Sequence, residues 1–319
     1  MRISIGGGGT DLPSYYEKYG GFVISAAINK YIFISVNRMF TDDIFLKYST
    51  FERVQDINEI QHPIMREALR MNGLGKSLEI VSVADIPAGT GLGSSGSFTV
   101  GLLKALHGIK QDYISAHELA EEACHIEMNL LGTASGKQDQ YIAAFGGLSC
   151  FEFDTSGNVK ASRLKISSDT MTHLSDHVLM FFTGYSRSSE SILGDQKVRT
   201  SQGDSSMIDN LHFIRDLGMQ IRESLEAGDP RRFGELMHRH WLHKRERSKG
   251  MSNPCIDRWY NVATSNGAVG GKLVGAGGGG FLLFYAANPK HLRAAMAREG
   301  LQEVRFAFDH DGSTLICRD

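Results

Sequence analysis

Residues 85–98 read DIPAGTGLGSSGSF. The stretch follows an apolar run of period two, SLEIVSVA at 77–84. It precedes TVGLLKAL at 99–106, where Val100, Leu103 and Leu106 recur near helical spacing. A strand, a glycine loop and a helix over 97–107 are therefore predicted. Glycine tolerates positive φ and lets backbone N–H groups approach an anion, and the first helical turn adds unpaired N–H groups and the positive end of its dipole. Ser94 and Ser95 supply hydroxyls suited to phosphate oxygen or Mg²⁺. Residues 91–98 hold three glycines and three serines, more than a tight turn requires.

Other glycine loops compete for this reading. A Walker A loop needs Lys before its final Ser or Thr, and none stands there. A protein kinase would also show H-R-D and D-F-G, which are absent. Gly91, Gly93 and Gly96 fit G-x-G-x-x-G, but a dinucleotide site expects a second parallel strand ending in an acid about 20 residues on. Here a turn, GIKQD, and another helical pattern follow. A nicotinamide-dependent oxidoreductase is thus a distant reading.

Glycine is high throughout, at 36 of 319 residues against an average of ~7%. Two further clusters lie at 6–9 and 275–280, in unrelated flanks, so no internal repeat is read. Apolar residues make up 41% and the net charge is −2, which excludes disorder as the main state. A near-neutral chain has no global field for nucleic acid or acidic lipid, so any anion site is local. No apolar run approaches the ~18 residues of a membrane span. The N-terminal MRISIGGGGTDLP turns glycine-rich too early for a signal peptide. Cys124, Cys150, Cys255 and Cys317 are widely spaced, which suits a reducing, cytoplasmic setting rather than a zinc ribbon or disulfide scaffold.

Coarse patterning gives an α+β order. A strand is expected at 2–5, a strand pair within 21–39, and a helix at 60–71. A helix at 115–130 and strands at 147–154 and 159–166 follow. The second half opens with a strand at 178–183 and a long helix at 206–227. Asp229-Pro230 and Asn253-Pro254 each read as an N-cap followed by proline at the first helical position. Strands at 272–274 and 281–285, a helix after Pro289 and two terminal strands complete the pattern. Length suggests about two domains, here residues 1–165 and 166–319.

The motifs together resemble the GHMP small-molecule kinases. PAGTGLGSS at 87–95 resembles their nucleotide loop, RISIGGGGTDLP at 2–13 their N-terminal substrate motif, and KLVGAGGGGF at 272–281 their C-terminal glycine motif, in the family's order. The resemblance implies a ribosomal S5 domain 2-like N-terminal domain that binds ATP, a ferredoxin-like C-terminal domain, and a sugar or related small molecule as acceptor. Within the family, GKQDQYIAAFGG and FFTGYSRSSESI are similar to the heptose phosphate kinases. That implies transfer to the anomeric hydroxyl of D-glycero-D-manno-heptose 7-phosphate, with a galactokinase- or fucokinase-type hexose 1-kinase, or a non-catalytic binding module, as alternatives.

Residue by residue, the resemblance assigns Pro87, Gly89, Thr90, Gly91, Leu92, Gly93, Ser94, Ser95, Gly96 and Ser97 to the ATP phosphates. Ser95 and Glu127 match the Mg²⁺ ligands, Glu127 being otherwise a helix-surface acid. Asp139 matches the aspartate at the acceptor hydroxyl, where it can accept or orient the proton; an N-cap is its plainer reading. Arg2 matches an arginine that keeps such an aspartate ionised, and Lys137 is a rival cation. Gly8, Gly9, Thr10 and Asp11 match the sugar-binding turn, with Asp11 as an N-cap ahead of Leu12-Pro13 the alternative. Gly277 and Gly278 are implied to close over the substrate. A substrate already phosphorylated needs a second anion site, for which Arg187 and the Lys244-Arg245 pair are candidates. His238, His240 and His243 lack the spacing and the further ligand of a zinc site, and a mixed surface and substrate role is expected of them.

Overall fold

The computed structural model describes residues 1–184, 190–248 and 250–317. Arg2–Gly6 forms β1, Pro13–Tyr19 α1 and Gly21–Ala27 β2. Ile32–Arg38 (β3), Ile44–Lys47 (β4) and Phe51–Val54 (β5) follow, then Pro63–Met71 (α2) and Leu78–Ala84 (β6). Ser94–Lys110 (α3), Ala116–Cys124 (α4) and Gln138–Phe145 (α5) precede Leu148–Phe153 (β7) and Val159–Arg163 (β8). The second half runs Ser168–His177 (α6), Val178–Phe182 (β9), Glu190–Ser201 (α7), Ser205–Glu226 (α8), Pro230–Glu246 (α9) and Pro254–Ser265 (α10). Ala268–Leu273 (β10), Phe281–Ala286 (β11), Pro289–Arg298 (α11) and the short Gln302–Glu303 (β12) close it. Among the described residues, no helix is long and apolar enough to cross a membrane.

Three four-stranded sheets result, ordered β1-β2-β7-β8, β3-β6-β4-β5 and β10-β11-β9-β12. The strands expected within 21–39 exist, but they do not pair with each other. Every residue of β2 is buried, and it sits between β1 and β7; β3 alternates half-buried and exposed and pairs with β6. A strand covered on both faces reads as a continuous apolar run, whereas one with a solvated face alternates. That difference in patterning separates the two layers.

The helix predicted at 97–107 starts earlier, at Ser94, because Gly93 (φ +70°) turns the chain directly into it. The helix predicted at 115–130 is divided. Ser115 and Glu118 form a reciprocal capping box for α4, which passes at His125–Leu130 into a π-helical turn. Asp229 and Asn253 cap α9 and α10 through their side-chain oxygens. Along α8, Leu211, Ile214, Leu217, Ile221 and Leu225 are buried at three- and four-residue steps. Full burial of such a side chain is worth about 1.5–3 kcal/mol.

The stripe on α8 packs against the first sheet. Leu217 and Ile221 share one core with Ile3, Ile24, Phe233 and Phe281, so both halves of the chain contribute to it. A second core under α3 contains Leu102, Leu103, Leu106, Tyr141 and Phe151. Only one of the two expected terminal strands forms. After β12 the chain runs back as an extended strap along the end of β2: the Asn29 amide donates to Ala307 O (3.0 Å), Asp309 to Ala27 O (2.9 Å) and Ser313 to Ala143 O (2.8 Å). The second terminal strand is reduced to an isolated bridge, Ile28 to Phe308.

Candidate active site

The loop before α3 ends with no side-chain cap at the helix N-terminus. The first-turn amides are thus left for another acceptor. A side chain at Gly96 would place Cβ 2.8 Å from Asp139 Cβ and 3.0 Å from the Gln140 nitrogen. Only glycine lets the N-terminal turns of α3 and α5 meet this closely. The two backbones bring the phosphate-type loop and the Asp139 carboxylate side by side.

Asp139 lies in the first turn of α5, where Lys137 is the N-cap residue, so it does not cap that helix. Its two oxygens accept from Arg2 Nε (2.7 Å) and Nη2 (2.9 Å), while Arg2 Nη1 donates to Gly91 O. This two-pronged pair joins β1, the loop and α5. The rival cation Lys137 is turned away, donating to Glu121 and to Gly157 O.

Asp11 does not cap α1 either, whose N-cap is Leu12. Its carboxylate accepts from the Gly9 amide (3.0 Å) and from Gln138 at the start of α5 (3.2 Å). Burial first, and the Asp139 charge second, push its pKa above the usual carboxylate range. The π-helical turn after α4 carries Glu127, which accepts from Ser95 Oγ and, at 2.9 Å, from Gln140 Nε2. Burial raises the Glu127 pKa against those hydrogen bonds. Gln140 Oε1 is buried and without a partner. A hydroxyl, one carboxylate and a spare amide oxygen, all hard donors beside a phosphate-type loop, fit Mg²⁺.

Arg2, Asp11, Ser95, Glu127, Asp139 and Gln140 line one cavity of about 830 Å³. At one end Tyr48, His62 and Phe98 make an aromatic wall, with the His62 ring edge-on to Tyr48 (4.7 Å between centroids) and near Phe98 (5.1 Å). His240, Lys244, Arg247 and Lys272 also line the cavity, within electrostatic reach of one another. The third glycine cluster braces the first loop. Gly91 and Gly275 both have positive φ, and a Cβ on Gly275 would stand 2.6 Å from Gly91 Cα.

The sequence-derived candidates divide accordingly. Arg2, Asp139, Asp11, Ser95, Glu127, Gly8, Gly9, Gly277 and Lys244 line the cavity, as do Pro87, Gly89, Gly91, Gly93, Ser94 and Gly96. Five others do not. Leu92 is fully buried in the shared core, and Thr90 Oγ1 donates to Pro87 O. Ser97 Oγ is buried without a partner, Thr10 Oγ1 bonds Gly7 O, and the Gly278 amide bonds Met251 O. These residues shape the loops because their polar groups are turned into the protein. Arg187 falls outside the described residues. Arg245 points instead to Asp257. Of the histidines, His238 bonds Tyr260, His243 stacks on Phe213, and His240 is buried in the cavity. Among the described residues, no cluster of three or more His, Cys, Asp or Glu is arranged to hold a metal.

Sequence reasoning missed Tyr48, His62 and Phe98, and also Arg247 and Lys272. The lysine inside the apolar strand pattern at 268–274 was the available signal. Lys244 Nζ donates to Leu273 O (3.0 Å) and Gly275 O, and burial with neighbouring Arg247 and Arg2 pushes its pKa down to about 7. An amine with a folded pKa below its unfolded value loses its proton on folding between the two. The stability cost is full below about 7 and disappears as pH rises toward the ordinary lysine range near 10. Urea denaturation from pH ~7 to ~10 is expected to show wild type gaining stability relative to Lys244→Met. Parallel curves would contradict the lowered pKa of Lys244.

The description "GHMP kinases N terminal domain" matches residues 59–147 and "GHMP kinases C terminal" matches 221–302, together more than half of the chain. The chain belongs to the GHMP kinase family. This GHMP kinase is a phosphotransferase with an alcohol group as acceptor, and its α+β architecture is the two-domain fold of that family. It is 28% identical to the D-glycero-alpha-D-manno-heptose 7-phosphate kinase of Campylobacter jejuni, over 98% of this chain and 96% of that one. The crystal structure of a D-glycero-D-manno-heptose 1-phosphate kinase from Bacteroides thetaiotaomicron superposes with a TM-score of 0.80 at 25% identity, covering 98% of this chain and 95% of that one. The L-fucokinase/L-fucose-1-P guanylyltransferase of Bacteroides fragilis is 26% identical over 91% of this chain, which spans 34% of that protein.

Proposed function

We propose that this GHMP kinase transfers the γ-phosphate of ATP to the anomeric hydroxyl of a heptose that already bears a phosphate, D-glycero-D-manno-heptose 7-phosphate. The observation that carries the reading is the contact of α3 with α5 at Gly96, which sets the Asp139 carboxylate beside the phosphate loop. The names of the Campylobacter and Bacteroides relatives supply the substrate class.

In this reading the aromatic wall receives the adenine, with His62 and Phe98 against its faces. The free amides at the start of α3 hold the phosphate tail, as helix N-termini do. Residues 1–165 carry this nucleotide half, and residues 166–319 contribute the glycine loop that closes it. Asp11 and the Gly8–Gly9 backbone hold sugar hydroxyls. Asp139 takes the proton of the attacking hydroxyl as the new oxygen–phosphorus bond forms and the bond from the γ-phosphorus to the β-phosphate oxygen breaks. Arg2 holds Asp139 oriented through its two hydrogen bonds. Mg²⁺, when bound, neutralises charge on the phosphates; Ser95 and Glu127 would hold it, with Gln140 Oε1 as a further donor. The family generally uses this pair of ATP and metal.

The test is ATP-dependent phosphorylation of heptose 7-phosphate, galactose, fucose and mevalonate, with the product position read by NMR. Heptose 7-phosphate should be preferred by at least ~10-fold in kcat/KM, roughly the discrimination one well-placed polar contact provides. Preferred turnover of galactose or fucose would replace this reading with a hexose 1-kinase.

A further inference from the structure

Four basic side chains gather in the lining of the cavity. His240 and Lys244 project from α9 and Arg247 follows it, while Lys272 projects from β10. His240 and Lys272 are each 1% exposed, Arg247 5% and Lys244 6%. Buried cations are normally paired with carboxylates, because an uncompensated buried charge costs several kcal/mol. Among the described residues this pairing is lacking here. The charges acting on Lys272 are Lys244, Arg2 and Arg247, all of its own sign. Those acting on His240 are Lys272, Lys244, Arg247 and His243. Asp11 offsets Arg247 alone.

The donors are also under-used. Lys272 Nζ makes one bond, to Ile5 O (3.1 Å), and Lys244 Nζ makes two, both to backbone carbonyls, although an ammonium has three N–H donors. Arg247 Nη2 has no partner, and neither ring nitrogen of His240 has one. Arg247 is held in place by its other nitrogens, through Asn210 Oδ1 (3.1 Å), Gln196 Oε1 (3.2 Å) and Gly8 O (3.3 Å). That last bond ties it to the same turn that presents Asp11. A ligand supplying several acceptor oxygens and about two negative charges would satisfy these donors together. A phosphate monoester dianion is such a group.

We propose that His240, Lys244, Arg247 and Lys272 form the seat of the phosphate that the sugar brings with it, on the far side of Asp11 from the reacting hydroxyl. The inference rests on the heptose phosphate reading above and assigns its specificity to these residues. The seat selects a phosphorylated sugar because a neutral sugar end leaves the donors buried and unsatisfied.

Two variants test it with little risk to the fold. His240→Leu breaks no protein hydrogen bond, and Lys272→Met keeps the length of the side chain while removing an unpaired buried charge. Both should melt no lower than wild type. For each, kcat/KM is measured with heptose 7-phosphate and with the same heptose lacking its phosphate. The ratio is expected to fall by at least ~10-fold, through KM for the phosphorylated sugar. An equal loss on both sugars, or an unchanged ratio, overturns the seat while leaving the heptose kinase reading intact. A wild-type binding arm covers the case in which another acceptor proves correct. With the nucleotide site filled by a Mg²⁺ complex of a non-hydrolysable ATP analogue, inorganic phosphate should bind wild type and bind each variant at least ~10-fold more weakly. Absence of phosphate binding to wild type also overturns it.

Discussion

Asp139→Asn is expected to lower kcat by ~10³ while ATP affinity stays within about threefold of wild type. The substitution preserves volume on a residue in the first turn of α5, and 28% of the side chain is exposed, so the fold should persist. The amide cannot take the proton of the acceptor hydroxyl. It also turns an N–H₂ group toward one of the two Arg2 donors that now meet carboxylate oxygens. In the proposed function, nucleotide binding rests on the α3 N-terminus and the loop, which the substitution leaves in place. Single-turnover phosphorylation and calorimetric titration of ATP separate the two quantities. Residual turnover within ~10-fold of wild type would remove Asp139 from proton transfer.

Glu127→Gln is expected to lower Mg²⁺-dependent activity by ~10² and shift the metal dependence to higher concentration, with a smaller change in KM for the sugar. A collapse of sugar affinity instead would show that the carboxylate serves the acceptor and not the metal. The same variant should be more stable than wild type without metal. Burial raises the Glu127 pKa, so the folded state holds this proton more tightly than the unfolded chain. Stability from that group is full below the ordinary carboxylate range and falls as pH rises through the raised value. Glutamine removes that decline. Metal-free melting curves at pH ~4 and ~7 should therefore converge in the variant and diverge in wild type.

Much of the site was legible because glycine clusters report backbone proximity directly. Gly91, Gly96 and Gly275 stand where a Cβ would strike Val274, Asp139 and Gly91 in turn, and each was conspicuous in the sequence. Caps at Asp229 and Asn253 were equally readable, since a cap is a local event. What escaped was set by distant partners. The assignment of β2 and β3 to different sheets depends on which layers cover them. The β4–β5 hairpin and α1 are too short for periodicity to declare them. The π-helical turn at Glu127 continues the α4 pattern and looks like more of the same helix. Arg247 and Lys272 look like ordinary surface or strand residues until α9 and β10 pack together and bring them into the cavity lining.

The strap at 304–313 has a consequence for how this protein is made. It is synthesised well after its partners Ala27, Asn29 and Ala143 have been made. Those edges wait, unsealed, until residues 304–313 follow them, and removing the strap after β12 would leave them open.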